Sequence, residues 1–119
     1  GYYFHVEPGN SMIAGGAYKP PMPWLTAIRE KIDEQGDIFL KIIRGKEFVN
    51  IFGEIEGEKL KSAPKGYSRE HPYIELLKLK SYLASRIITD KEIVGKECFD
   101  FILRASRAMK PLNDFLNDY

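Results

Sequence analysis

The sequence predicts an α+β domain: a small antiparallel sheet with helices packed mainly on one face. Three observations carry this. Residues 1–7 alternate in the period-2 pattern of a half-buried strand and run into Pro8-Gly9-Asn10, strong turn chemistry before a second strand. The middle of the chain changes to apolar residues at helical spacing. A further β-branched and aromatic cluster then precedes a long C-terminal amphipathic stretch.

In chain order, Tyr2, Phe4 and Val6 point one way from the first strand, and Tyr3, His5 and Glu7 the other. Residues 11–18 form its hairpin partner, where Gly15-Gly16 predicts a bulge or the close approach of another backbone or a ligand. Three prolines in 19–23 exclude regular structure until Pro23, which suits the first turn of a helix. That helix, 23–35, repeats Leu25, Ile28 and Ile32 on one face and ends at Gly36, read as a left-handed cap. Asp37 caps a second helix that buries Ile38, Phe39, Ile42 and Ile43 and closes at Gly45. Residues 46–52 add a short helix with Phe48, Ile51 and Phe52 inward.

The glycine-broken segment 53–62 ends as a strand with Leu60 inward, and a turn over 64–67 follows. Pro72 opens a helix burying Ile74, Leu76 and Leu77. Residues 81–88 are a strand, and Thr89 or Asp90 caps one helical turn. The last helix, 96–119, presents Phe99, Ile102, Leu103, Ser106 and Met109 on one face and breaks or kinks at Pro111.

At 119 residues, 44% apolar and 29% charged, with fifteen aromatics, the chain is an ordinary globular domain rather than a disordered one. The single cysteine, Cys98, excludes an internal disulfide and a cysteine-rich zinc site, which places the chain in a reducing cytoplasm. Cys98, beside Phe99, reads as a small buried apolar group. No run is long and apolar enough to cross a membrane, so no membrane partner is expected. Two histidines without HExxH or CxxC spacing imply no metal, and neither a P-loop nor a GxGxxG turn is present, so no cofactor is implied. Ser11, Ser85 and Ser106 lack the context of a nucleophile elbow.

The net charge of +1 hides an asymmetry: residues 59–80 hold six basic residues against Glu70 and Glu75, leaving +4, and the remainder carries −3. This permits an anionic partner but is weaker than the basic footprint of most nucleic-acid binders. Three candidate constellations follow. Tyr3, His5 and Glu7 on one strand face are an acid/base cluster, or else a polar aromatic surface. His71, just before Pro72, stands at a helix start where Lys61, Lys65 and Arg69 could hold a phosphate or carboxylate; otherwise it caps the helix beside solvated lysines. Lys61, Lys78, Lys80 and Arg86 beside Tyr67, Tyr73 and Tyr82 could track a nucleic acid, or simply protect strand edges.

GYYFHVEPGNSMIAGGAYKPP, the helix carrying AIREKI, the run FGEIEGEKLKSAPKGYSREHPYIELLKLKSY and a Pro-Leu near the C-terminus resemble the bacterial domain-of-unknown-function 2461 family, across essentially the whole chain. Members of that family are longer, so the resemblance implies that these 119 residues are one domain matching its C-terminal part, the N-terminal half being absent. It implies a fold and no activity.

Function stays open between classes. The leading expectation is a non-catalytic binding or interaction domain with an anion-binding surface at Lys61, Lys65, Arg69, Lys78 and Lys80. The alternative is an enzyme on a small phosphorylated or carboxylated substrate with His5, Glu7 and His71 at its centre; the second alternative is nucleic-acid binding. An enzyme requires the first strand and the PKGY–HP turn to meet in one cleft, whereas a binding surface requires only exposed lysines.

Overall fold

The computed structural model describes residues 2–117. Strands β1 (Tyr2–His5), β2 (Ser11–Ala17) and β3 (Tyr82–Ile88) form one antiparallel sheet in that order. Helices α1 (Met22–Ile43), α2 (Lys46–Phe52) and α3 (Ile74–Leu77) lie between β2 and β3, and α4 (Asp90–Val94) and α5 (Cys98–Asn117) follow. The α+β expectation holds.

Register decides which face is covered. Tyr2 pairs with Gly15 and Phe4 with Ile13, while Gly15 pairs with Ala84 and Ala17 with Tyr82, so these side chains share one side of the sheet. Helix α5 packs there. A Cβ on Gly15 would meet the Met109 sulfur at 2.7 Å, and Gly16 N–H donates to Asn113 Oδ1 at 3.0 Å. Gly16 itself has φ +108°, and a Cβ there would lie 1.9 Å from the Tyr82 carbonyl oxygen. The paired glycines are thus a close approach, as their sequence predicts. At the strand's start the Tyr2 hydroxyl donates to Ser106 Oγ at 2.5 Å, and Ser106 in turn donates a hydrogen bond to Ile102 O at 2.8 Å.

Helix α1 completes the core. Leu25, Ile28, Ile32 and Phe39 are buried, and the Phe39 ring lies 4.9 Å from Phe115 and edge-on to Tyr82 at 6.1 Å. Its start and middle are tied to the end of α5: Trp24 Nε1 donates to Leu116 O at 2.7 Å and Lys31 Nζ to Phe115 O at 3.1 Å. Each fully buried aliphatic side chain here stabilises by about 1.5–3 kcal/mol.

Several local expectations are corrected. The helices read on either side of Gly36 are a single kinked element, with non-helical φ/ψ at Gln35 rather than a left-handed cap at Gly36. Gly36 is required for space: a Cβ there would sit 2.2 Å from the Tyr73 ring. The kink turns Ile38 outward while Phe39 stays fully buried. Residues 53–62 make no strand, only single bridges of Glu56 with Leu83 and Lys59 with Leu79 beyond the edge of β3. Helix α3 starts at Ile74, two residues after Pro72, which lies in the preceding turn. Pro111 does not break α5, because Met109, Leu112, Phe115 and Leu116 on both sides of it are fixed in the same core. The inward stripe of α5 keeps Met109 as expected but turns away from Phe99, which is 73% exposed, towards Ala105. Strand β1 is exposed on both sides at Tyr2, Tyr3 and Phe4, and Cys98 is only half-buried. Thr89, by contrast, caps α4 in a full capping box with Glu92, whose carboxyl the Thr89 hydrogen bonds hold below the usual range.

One buried charge joins α1 to β3. Arg29 is 7% exposed, and it donates from Nε to Leu77 O at 2.8 Å and from Nη2 to Leu79 O at 3.2 Å. The neighbouring Leu76 carbonyl accepts from the Tyr82 hydroxyl at 2.7 Å. A four-residue helix cannot satisfy its own last carbonyls, and these two side chains do so.

Two substitutions test this packing. Arg29→Met leaves the Leu77 and Leu79 carbonyls buried without donors and is expected to cost about 2–4 kcal/mol in urea unfolding; a loss within about 1 kcal/mol contradicts the assignment. Gly36→Ala is expected to destabilise by about 2 kcal/mol through overpacking on Tyr73. A gain of about 1 kcal/mol, the usual result of removing a helical glycine, contradicts it.

Candidate functional site

The sequence-predicted residues separate into three places. The first is the outer face of β1. His5 Nε2 bonds Glu7 Oε2 at 2.7 Å, and the Tyr3 ring stacks parallel on His5 at 6.1 Å. Glu7 therefore orients His5, as an acid/base cluster needs. Yet this side of the sheet is open at Tyr3, 54% exposed, and at Ile87, which shares it and is 78% exposed. An open face gives neither the wall nor the dry environment that acid/base catalysis uses.

The second place is the PKGY–HP turn. The Tyr73 amide donates to His71 Nδ1 at 3.0 Å, so Nδ1 carries no proton; Nε2 then donates to Asp33 Oδ1 on α1 at 2.5 Å. Both ring nitrogens are engaged, and the Tyr67 and Tyr73 rings pack around the imidazole at 6.0 and 5.8 Å. Burial, then the Asp33 and Glu30 carboxylates, raises the Tyr67 phenol above its ordinary range, so this ring stays a neutral donor. His71 is a pin between the turn and α1. It is also remote from His5: β1 is one edge of the sheet, and the chain leading to His71 passes outside the other, at the Glu56–Leu83 bridge.

The third place is a cleft of about 750 Å³ between the loop after β2, the start of α1, and the chain leading into β3. Of the predicted anion-binding set, Lys65 and Lys80 line it; Lys61, Arg69 and Lys78 do not. Lys78 lies 3.6 Å from Glu75, which also accepts from Lys59 at 3.1 Å, and these ammonium groups hold the Glu75 carboxyl below the usual range. Lys61 and Arg69 point to solvent. The rings expected beside the lysines do not form a stacking surface, since Tyr82 is fully buried and Arg86 pairs with Glu92 over the Phe101 ring.

Two cations that sequence reasoning passed over complete the cleft: Lys19 and Arg29. Lys19 has φ +42°, the one non-glycine residue with positive φ among those described, and its amide donates to Ser81 Oγ at 2.8 Å. Such backbone strain persists only where surrounding structure enforces it, and it gathers at ligand sites. Arg29 had a legible signal, for it stands between Ile28 and Ile32 on the buried stripe of α1, where a charge needs a reason. Among the described residues no group of three His, Cys, Asp or Glu could hold a metal ion, and no helix is long and apolar enough to cross a membrane.

The His71 pin is testable by a double-mutant cycle. His71→Ala and Asp33→Ala are expected to couple by about 1 kcal/mol in unfolding free energy. Additive losses would mean the pair carries no structural weight.

Comparison with known proteins agrees with the motifs of the chain. The model of a family described as conserved hypothetical protein (DUF2461) matches residues 1–115. No curated protein and no solved structure matches the chain. With the match extending from the first strand into the last helix, the chain belongs to the DUF2461 family.

Proposed function

We propose that this chain is a non-catalytic binding domain whose ligand is an anion held in the cleft lined by Lys19, Lys65 and Lys80. The observation that carries this reading is convergence: three lysines from separate segments, with the buried Arg29 behind them, meet on one cavity. Solvated lysines that serve only solubility have no reason to converge. Lys65 has no carboxylate partner among the described residues, and Lys80 reaches Glu58 only at 4.0 Å, so their charge remains available to a ligand.

The reading as an enzyme with a centre at His5, Glu7 and His71 has less support, because the His5–Glu7 pair and His71 lie at opposite edges of the sheet and both nitrogens of His71 are engaged. The single cysteine supports a reducing, cytoplasmic setting.

Thermal unfolding in inorganic phosphate and in sulfate, at low and high salt, tests the reading. Saturating anion at a hundred times its Kd is expected to stabilise the protein by about 2.7 kcal/mol, and added chloride to weaken the effect. Lys65→Ala should change the ligand-free stability by less than about 1 kcal/mol yet abolish most of the shift. An unchanged transition in both anions would remove the proposed site.

A further inference from the structure

Resting on that reading, we infer that the ligand of the cleft is a phosphate monoester with an apolar, flat body rather than a bare inorganic anion. The charge of the site gives the head group. Lys19, Arg29, Lys65 and Lys80 face Glu56 and Glu58, so the lining carries two net positive charges. A phosphate monoester carries between about one and a half and two negative charges near neutral pH and matches this excess. A carboxylate supplies half of it.

The start of α1 adds to the same field. Met22 lines the cleft, no side chain caps this end of the helix, and its first turn contains no acidic residue. This helix end therefore adds positive potential beside the cleft that no acidic residue of its own first turn offsets. Arg29 adds its charge from the wall of the cleft, held in place by the bonds of its Nε and Nη2 to the Leu77 and Leu79 carbonyls. The lysines approach from the rim and supply mobile donors.

The remaining walls give the body of the ligand. Leu25, Leu60 and Leu83 lie in the lining, and Tyr18 and Met22 stand at its mouth, 66% and 61% exposed. A bare anion uses none of this apolar surface. Ligand pockets that take an organic molecule are built this way, mostly apolar with a few placed polar groups. The Lys19 ammonium lies over one face of the Tyr18 ring, 5.4 Å from its centre, and the ring, 66% exposed, keeps open surface for a flat apolar group. The strained backbone at Lys19, anchored to Ser81, thus puts a stacking surface and a phosphate donor side by side.

Isothermal titration calorimetry on the whole chain, with phenyl phosphate, inorganic phosphate and phenol as probes, separates the two levels of the proposal. Phenyl phosphate is expected to bind about tenfold more tightly than inorganic phosphate, and phenol not measurably. Tyr18→Ala, at an exposed position, should remove that tenfold advantage while leaving the Kd for inorganic phosphate within about twofold. Equal Kd values for the two phosphates in the unmodified protein overturn the inference and leave the anion site standing. Equal weakening of both phosphates by Tyr18→Ala also overturns it, since the ring would then only support the anion site. Absence of binding by either phosphate removes the anion site and this inference together.

Discussion

The contact on which the rest depends is the buried guanidinium of Arg29 between the carbonyls of Leu77 and Leu79. Desolvating a charge is expensive, and among the described residues no carboxylate forms an ion pair with this one; two charge-assisted hydrogen bonds and the dipoles of α3 offset the cost. The arrangement answers two needs at once. Helix α3 is too short to satisfy its own carbonyls, and α1 must be joined to the chain entering β3. Tyr82 completes the join through Leu76 O, and burial pushes its phenol well above the ordinary range, so that it remains a donor. With 76–82 fixed in this way, Lys80 and Ser81 are held beside Lys19, and the cleft exists as a consequence of the clamp.

Much of the fold was legible because several strong signals are local ones. The alternation in residues 1–7, the Pro8-Gly9-Asn10 turn, the Leu25–Ile28–Ile32 stripe and the Thr89 cap each depend on neighbours in sequence. What failed depended on distant partners. Gly36 has the signature of a helix end, but its missing side chain accommodates Tyr73, thirty-seven residues away. Pro111 ordinarily ends a helix, yet the apolar residues flanking it are held by contacts with the sheet and α1. Helical spacing gives the stripe of α5 as Phe99, Ile102, Leu103, Ser106 and Met109, whereas the buried face keeps Met109 and adds the small Ala105, leaving Phe99 and Leu103 exposed.

The site was legible in part. Local basicity pointed to residues 59–80, and Lys65 and Lys80 from that stretch do line the cleft. Periodicity alone cannot say that the segment folds back past β3, or that the loop after β2 supplies Lys19 from forty-six residues before Lys65. Nor does a His-Pro step announce that both imidazole nitrogens will be taken, one by the Tyr73 amide and one by Asp33. Arg29, read among the polar residues around the apolar stripe of α1, is buried because its guanidinium meets carbonyls 48 and 50 residues away.

The most direct test of the central claim is a map of amide chemical shifts in the ¹⁵N-labelled protein during titration with inorganic phosphate. The account predicts saturable shifts at Lys19, Lys65, Lys80 and Ser81, which line the cleft, with His5 and Glu7 at the far edge of the sheet unmoved. Shifts centred instead on Lys61 and Arg69, or on the outer face of β1, would contradict it.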